Sequence, residues 1–251
     1  MLVSLFSAKG SPGVTSSGLA LAAVWPRPVV LLEADPSGTD LVYRCRSLAG
    51  GPLASSPNIL GLASAVRGDR SVAVSQWTQK LANGVDLVAG VTTPTQGRGL
   101  AGLWPAVAAA AMMSEVDVIA DLGRVEREAP TMPLLSGADL MVPVVSGTFD
   151  SLMHARELLK DLTGEPNSRI VPLLVGRVRT AVADCEDVDE VLASAGIIAA
   201  HATHLPLDHS GLSALEAGAK PTGRARMSQL VRTARLAADQ LITTLGAEVA
   251  R

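Results

Sequence analysis

Short apolar runs rich in Val, Leu and Ile alternate along this chain with longer Ala- and Leu-rich segments. The short runs have the length of strands, and they are continuously apolar, as expected for strands covered on both faces of a parallel sheet. The longer segments have helical spacing, so strands and helices alternate as in βα units. The pattern predicts a three-layer α/β fold with a mostly parallel sheet. The predicted strands are residues 2–7, 29–33, 85–89, 116–121, 140–145, 170–175 and 198–204.

The helical segments complete a layout that needs only one domain. The predicted helices are residues 15–24, 99–113, 151–162, 185–195 and 227–249. Loops rich in Gly, Pro and Ser at 49–58 and 92–99 are too short to separate two domains, and no internal repeat is visible. We therefore expect a single domain over 1–251 that ends in a C-terminal helix over 226–250.

Composition narrows the possible functions. Of the 251 residues, 48% are hydrophobic and 18% are charged, which excludes a mainly disordered chain. An aromatic fraction of 2% excludes nucleic-acid sites built from several stacked rings. The net charge of −3 gives no general attraction to phosphate polymers, so we do not expect DNA binding. Cys45 and Cys185 are too few for a disulfide framework, which fits a cytoplasmic location, and we expect neither a signal peptide nor a spanning helix.

The most informative segment follows the first predicted strand, where residues 7–16 are Ser-Ala-Lys-Gly-Ser-Pro-Gly-Val-Thr-Ser. A glycine-containing loop between a strand and a helix lets backbone N–H groups and the helix dipole face an anion. Gly10 and Gly13 permit close approach of the backbone, and Thr15 can place a hydroxyl on Mg²⁺. The usual phosphate loop has a lysine directly before that hydroxyl residue, and here the position is Val14. The alternative is an ordinary βα turn.

Three further segments follow in the order of a known set of motifs. Residues 33–38 are Glu-Ala-Asp-Pro-Ser-Gly, residues 117–124 form an apolar strand with an acidic end, and residues 205–208 are Leu-Pro-Leu-Asp. Together with residues 9–15, they resemble the ParA/MinD family of deviant Walker A ATPases, whose loop is K-G-G-x-G-K-[ST] and whose second motif is D-x-D-P-Q-G. The resemblance covers almost the whole chain and implies a P-loop NTPase-like fold.

In that family ATP is held between two protomers, and the resemblance assigns roles to individual positions. Lys9 is implied to reach the phosphates of the partner protomer, and Asp35 to position the attacking water. The implied phosphate contacts are Gly10, Ser11, Gly13, Val14, Thr15 and Ser16. The implied Mg²⁺ ligands are Thr15 and Asp121, and the implied adenine-side residues are Gly176 and Arg177.

Three departures from the family pattern weaken the implied site. Val14 replaces the in-cis lysine, whose charge-assisted contact to phosphate is worth roughly 1.5–3 kcal/mol, or about 10–100-fold in affinity. Pro12 removes a backbone donor from the loop, and Gly176 stands where the family has an adenine-reading Asn. We therefore expect ATP or ADP with Mg²⁺ to bind weakly or not at all, and hydrolysis to be slow or absent.

The leading functional hypothesis is a spatial organiser. Residues 121–124, Asp-Leu-Gly-Arg, are closest to the D-L-P-R ending of the CpaE/TadZ pilus-assembly branch, which commonly has a receiver-like domain ahead of the first strand. The resemblance implies a protein that positions or assembles a pilus, secretion or cell-pole machine. Two alternatives stay open: an active partitioning or division ATPase that dimerises with ATP on DNA or membrane, and a structural homodimer without nucleotide.

The resemblance to the ParA/MinD family also implies partners. We expect a homodimer with protein partners in a membrane-associated or polar machine. The C-terminal helix suggests either membrane contact, which implies a peripheral location at the inner face of the membrane, or packing on the sheet with a solvated basic face. The basic residues of that helix are Arg224, Arg226, Arg232 and Arg235.

The sequence does not contain the motifs of a serine hydrolase, a nicotinamide-binding site or a histidine metal site. The sequence contains no G-x-S-x-G nucleophile elbow, and residues 10–13 do not supply the G-x-G-x-x-G of a nicotinamide site. His201, His204 and His209 are close in sequence, but no acidic or Cys ligand accompanies them at helical spacing. We expect them to be ordinary polar residues, and His154 has no predicted role.

Overall fold

The computed structural model describes residues 1–10, 12–69, 71–162, 169–223 and 227–246. Over these ranges the chain forms a central sheet with helices on both faces. The strands are β1 (Leu2–Ser7), β2 (Val29–Glu33), β3 (Gln79–Lys80), β4 (Asp86–Val88), β5 (Asp117–Arg124), β6 (Leu140–Ser146), β7 (Arg169–Ile170), β8 (Leu173–Gly176) and β9 (Thr203–Pro206). The helices are α1 (Val14–Val24), α2 (Leu41–Arg44), α3 (Ile59–Gly68), α4 (Pro94–Gly99), α5 (Trp104–Met112), α6 (Met132–Ser136), α7 (Phe149–Leu162), α8 (Ala181–Ser194), α9 (His209–Glu216) and α10 (Gln229–Gly246).

The sheet is mostly parallel. Its strand order over the described residues is β3-β4-β2-β5-β1-β6-β8-β9, and β7 pairs with the start of β6. Only β3, at one edge, runs antiparallel to its neighbour among the pairs in these ranges. The predicted three-layer α/β fold class is confirmed.

The core lies on both faces of the sheet, because successive strand residues point to opposite sides. Leu2 and Phe6 of β1 belong to one apolar cluster, and Val3 and Leu5 belong to another. Helices α3, α5, α7 and α8 cover the first cluster, and α1 and α10 cover the second. The strands are therefore continuously apolar because each one supplies side chains to two buried layers.

Two predicted strands lie elsewhere than expected. The run 170–175 is divided into β7 and β8, because Pro172 lies between them and has no N–H to donate to a ladder. The strand predicted at 198–204 begins only at Thr203. His201 consequently precedes the strand, where its Nδ1 contacts Asp189.

The loop predicted at 92–99 is wrong over most of its length, since α4 begins at Pro94. Proline suits the first turn of a helix, where its missing N–H would have no intrahelical partner. The helix predicted from residue 99 correspondingly begins only at Trp104. Helices α3 and α9 were not predicted, although Asn58 and Asp208 cap them with side-chain oxygens, which is a signal the sequence does contain.

The C-terminal helix is described as far as Gly246, and its buried residues pack into the second cluster, which is the packing alternative given for this helix. Ser11, Arg224, Arg226 and the predicted helical residues beyond 246 lie outside the described residues. Within the described ranges, no helix is long and apolar enough to cross a membrane.

Three central strands bring the candidate motifs to one edge of the sheet. β5 lies between β1 and β2, and the register pairs Asp121 of β5 with both Leu5 and Glu33. Because the three strands are parallel, the loops that follow them leave from the same edge, where ligands bind in open α/β sheets. The glycine loop therefore adjoins the acidic ends of β2 and β5.

Candidate functional site

The loop after β1 enters α1 through two glycines with positive φ. Gly10 has a φ of 75° and Gly13 a φ of 99°, conformations that residues with side chains rarely adopt. Gly13 is the N-cap of α1, where it makes no side-chain cap, and the first turn holds no acidic residue. Because this turn borders a cleft, its N–H groups and the positive end of the helix dipole face that space.

Val14, the first residue of α1, is an apolar wall of the same cleft. Its side chain is 6% exposed and belongs to the apolar cluster that contains Leu5 and Leu19. The position of the usual lysine therefore contributes packing to the core and no charge to the cleft.

Thr15 and Asp121, which are distant in sequence, lie close together. Asp121 is buried near the end of β5 and accepts a hydrogen bond from the backbone N of Gly123 at 3.0 Å, and the Thr15 side chain lies near enough to its carboxylate to lower the pKa. Burial raises the pKa of Asp121 to about 7; the charges of Glu33 and Asp35 raise it as well, and the Thr15 side chain and the Gly123 N–H oppose the rise. A cation bound beside this carboxylate would offset the cost of its charge.

Asp35 lies directly over Gly123. A Cβ at Gly123 would be 1.9 Å from Oδ2 of Asp35, and the φ of Gly123 is 62°. Asp35 Oδ1 accepts a hydrogen bond from the backbone N of Ser37 at 2.7 Å, and burial raises the pKa of the carboxyl. The absence of a side chain at Gly123 is thus what lets Asp35 occupy this position beside β5.

Glu33 fixes the loop that carries Asp35. Its buried carboxylate accepts hydrogen bonds from the Thr39 hydroxyl and from the backbone N atoms of Asp40, Leu41 and Gly90, the last three at 3.2, 3.0 and 3.1 Å. Burial raises the pKa of Glu33, and the four donors oppose this. Glu33 therefore has a structural role, since four donors already occupy its oxygens.

Arg44 is a cation of the cleft that the motifs do not indicate. The cleft has a volume of about 610 Å³, and its walls include Thr15, Asp35, Gly123 and Arg44. Arg44 Nη2 donates to Ser16 Oγ at 3.0 Å, and Nε donates to Glu216 Oε1 at 2.8 Å. The guanidinium thus joins the first turn of α1 to α9.

Lys9 is directed toward α7. Its Nζ lies 3.2 Å from Nε2 of His154, and no acidic side chain within the described residues forms an ion pair with it. His154, which had no predicted role, is therefore the contact that holds Lys9 in the monomer.

A second cavity, of about 210 Å³, adjoins the other side of the glycine loop. Its walls are mainly apolar and include Pro12, Val175, Leu205, Pro206, Leu212 and Leu230. Gly176 and Arg177 follow Val175 at the end of β8 but do not border this cavity. The carboxylate of Asp208, which does border it, accepts from the backbone N atoms of Gly211 and Leu230.

Comparison with known proteins shows which solved structures share this fold. No protein-family model and no curated protein matches the chain. The ParA family ATPase of Chlorobium tepidum superposes with a TM-score of 0.71 at 21% identity, over 94% of this chain and 98% of that one. MinD of Pyrococcus horikoshii, solved with Mg-ADP, gives 0.71 at 15% identity over 96% and 95% of the two chains. The chain has the ParA/MinD fold.

The ParA/MinD fold is not limited to one activity. Cobyrinic acid a,c-diamide synthase of Mycobacterium smegmatis, solved with an ATP analogue and magnesium, superposes with a TM-score of 0.66 at 16% identity over 96% of this chain and 93% of that one. Since a fold hosts many functions, the site must decide among them.

Within the ParA/MinD fold, sequence reasoning found the loops after β1, β2 and β5 but missed two residues. Arg44 lies outside every motif, and its i, i+4 spacing from Asp40 is the one signal in the sequence. His154 contacts a residue 145 positions away, and nothing local indicates that contact. Among the described residues, no group of three or more His, Cys, Asp or Glu side chains could hold a metal ion.

Proposed function

We propose that this chain is a ParA/MinD-like nucleotide-binding protein with weak or absent hydrolysis that organises a protein assembly. The observation that carries the proposal is the position of the Thr15 side chain near the carboxylate of Asp121, beside a glycine loop whose next residue, Val14, is apolar. In P-loop NTPases, a loop Ser or Thr and a strand-end Asp hold Mg²⁺, and a loop Lys cradles the phosphates. The proposed site keeps the hydroxyl and carboxylate residues for Mg²⁺, and it has valine in place of the lysine.

Thr15 in the first turn of α1 and Asp121 near the end of β5 fit a magnesium ion by their chemistry. A hydroxyl and a carboxylate supply the oxygen ligands that Mg²⁺ prefers, and burial, with the charges of Glu33 and Asp35, raises the pKa of Asp121. When bound, Mg²⁺ neutralises charge on phosphate oxygens. Thr15 and Asp121 would hold it, and Asp121 must be ionised to do so.

Phosphates are assigned to the first turn of α1 and the loop before it, where backbone N–H groups and the helix dipole face the cleft. The residues proposed for these contacts are Gly10, Ser11, Gly13, Val14, Thr15 and Ser16. Asp35 is proposed to position the attacking water. Lys9, now held by His154, is proposed to reach a second protomer when two copies associate. Gly176 and Arg177 remain the proposed adenine-side residues, next to the apolar cavity.

Weak catalysis follows from the same residues. Phosphoryl transfer depends on positioning and charge stabilisation, and the Val14 position contributes no charge. Pro12 contributes no backbone donor to the loop. The loss of one charge-assisted contact lowers affinity by about 10–100-fold, and it lowers the rate further if the contact strengthens in the transition state.

The inferred biological role is positioning or assembly of a pilus, secretion or cell-pole machine. It is supported by the likeness to the ParA and MinD structures and by the resemblance of residues 121–124 to the CpaE/TadZ branch. Retention of Lys9, Asp35 and Asp121 favours a second candidate, an active ATPase that dimerises with nucleotide. In either case we propose one domain over 1–251 that acts as a homodimer on the cytoplasmic side of the membrane.

Titration of the purified protein with Mg-ATP and Mg-ADP by calorimetry tests nucleotide binding, and phosphate release under the same conditions tests hydrolysis. We expect weak, magnesium-dependent binding and little turnover. Thr15→Val, which removes the hydroxyl with little change in volume, should abolish the dependence on magnesium. Thr243→Val, at an exposed position of α10, is the matched control and should bind like the wild type.

Two results would contradict the proposal in different ways. No binding of either nucleotide at millimolar concentration would leave the structural homodimer, and steady turnover with micromolar affinity would favour the active ATPase. Size-exclusion chromatography with and without Mg-ATP then separates the remaining models, because only nucleotide-driven assembly changes the elution volume on addition of ATP.

A further inference from the structure

We propose that Arg44 supplies the in-cis positive charge for phosphate that the loop itself lacks at Val14. This inference rests on the proposed function. Arg44 ends α2, outside every motif, yet its Nη2 lies 3.0 Å from the hydroxyl of Ser16 in the first turn of α1. It also borders the cleft that Thr15 and Asp35 line. The site therefore has a cation at the phosphate-facing end of α1 that comes from a different element.

The other cations near the cleft are less suited to this role. Arg124 borders it, but this side chain is 55% exposed and forms an ion pair with Glu126 at 2.8 Å. Lys9 is held by His154 and does not line the cleft. Arg44 is 31% exposed and contacts the helix turn itself. Among the described basic residues, Arg44 is the one fixed against α1.

The guanidinium retains donors for an anion. Nε and Nη2 donate to Glu216, and Nη2 also donates to Ser16. Nη1 makes no hydrogen bond within the described part of the chain; it forms a long ion pair with Asp40, at 3.7 Å, and that carboxylate is 65% exposed. A guanidinium has five N–H donors in a planar fork that suits phosphate oxygens. The two donors on Nη1 are therefore available to a ligand in the cleft.

Glu216 has two opposite effects on this arrangement. Its carboxylate orients the guanidinium, because it accepts from both Nε and Nη2. Its negative charge also offsets part of the positive charge that a phosphate would meet. Removal of that charge without loss of Arg44 should therefore preserve or strengthen phosphate binding. A purely structural bridge between α1 and α9 predicts the reverse, since either partner's removal would weaken it.

The test compares Mg-ATP affinity in the wild type and four variants by fluorescence or calorimetric titration, with thermal unfolding as the check on folding. Arg44→Gln should lower affinity by about 10–100-fold, the value expected for one charge-assisted hydrogen bond. Arg44→Lys should recover part of the loss, because it restores the charge but not the planar fork. Glu216→Gln should bind as well as the wild type or better. Arg46→Gln, at an exposed neighbouring position, should be unchanged.

The outcomes separate this inference from the function on which it rests. Equal affinity in the wild type and Arg44→Gln would overturn the role of Arg44 and leave nucleotide binding intact. Parallel losses in Arg44→Gln and Glu216→Gln would show a structural bridge and overturn it as well. No binding of Mg-ATP by the wild type would overturn both proposals.

Discussion

Replacement of Asp121 by asparagine should stabilise the ligand-free protein at neutral and basic pH. Asn has the same shape, can accept the hydrogen bond from the backbone N of Gly123 and can donate to the Thr15 oxygen. It differs in carrying no charge into a buried position beside Glu33 and Asp35. The substitution therefore isolates the free-energy cost of ionised Asp121 in the folded state.

The pKa sets the size and the sign of the effect. Burial raises the pKa of Asp121 from 3.8 to about 7. A pKa shift of one unit corresponds to about 1.4 kcal/mol, so ionisation of Asp121 in the folded state costs about 4 kcal/mol. Below pH 3.8 the group is protonated in both the folded and the unfolded state, and the cost is absent. This cost increases as the pH rises toward 7 and is constant at higher pH. The stability difference between the variant and the wild type should thus grow from under ~1 kcal/mol at pH 4 to about 4 kcal/mol at pH 8.

Urea denaturation of both proteins across this pH range measures the difference. Asp187→Asn, at an exposed position of α8, is the control and should differ little from the wild type at any pH. A stability difference that does not change with pH would refute the reasoning, because the effect would then not come from ionisation. In the presence of Mg-ATP the wild type should be the more stable of the two proteins, since the variant lacks the carboxylate proposed to hold Mg²⁺.

Three further substitutions test separate contacts. Gly123→Ala should cost about 1–3 kcal/mol in unfolding free energy, because φ is positive and the new Cβ meets Asp35 Oδ2. Val14→Lys should raise Mg-ATP affinity by about 10–100-fold in titrations and lower the stability of the ligand-free protein, since it places a charge at a buried position. Thr39→Val should cost about 1–3 kcal/mol in urea denaturation, because buried Glu33 loses a donor.

Two of these substitutions have a matched control variant, and the third has a result that would contradict it. Gly196→Ala has a similar φ, 74°, but open space at the Cβ, so a loss as large as that of Gly123→Ala would remove the clash with Asp35 as an explanation. Thr243→Val reports the cost of the same side-chain change at an exposed helix position, and Thr39→Val should exceed it. If Val14→Lys folds but gains no affinity, the loop is not a phosphate cradle.

The sequence was most informative where a pattern is local. Continuous apolar runs predicted the strands, with β1 and β2 at the bounds that the structure has. The sequence was less informative where one residue outweighs the pattern, as with Pro172, which interrupts a strand, and Pro94, which starts a helix in a predicted loop.

For the candidate site, motif order was enough to indicate which loops meet, because parallel neighbouring strands end at one edge. It could not indicate Arg44 or His154. These residues reach the glycine loop from α2 and α7, and their contacts join positions 28 and 145 residues apart. Arg44 and His154 lie near the glycine loop only because of how the helices pack on the sheet, and no short segment of the sequence indicates that packing.

The central place of β1 in the sheet has a consequence for hydrogen exchange. β1 is paired on both sides, and all six of its residues are buried, so its amides should exchange only when the whole sheet opens. The loop at 34–40 is held by the carboxylate of Glu33 and, at its two ends, by backbone bonds from Ala34 N to Asp121 O at 2.7 Å and from Thr39 N to Val91 O at 2.6 Å. We expect its amides to exchange through local opening, so that one face of the cleft is fixed while the Asp35 face can adjust to a ligand.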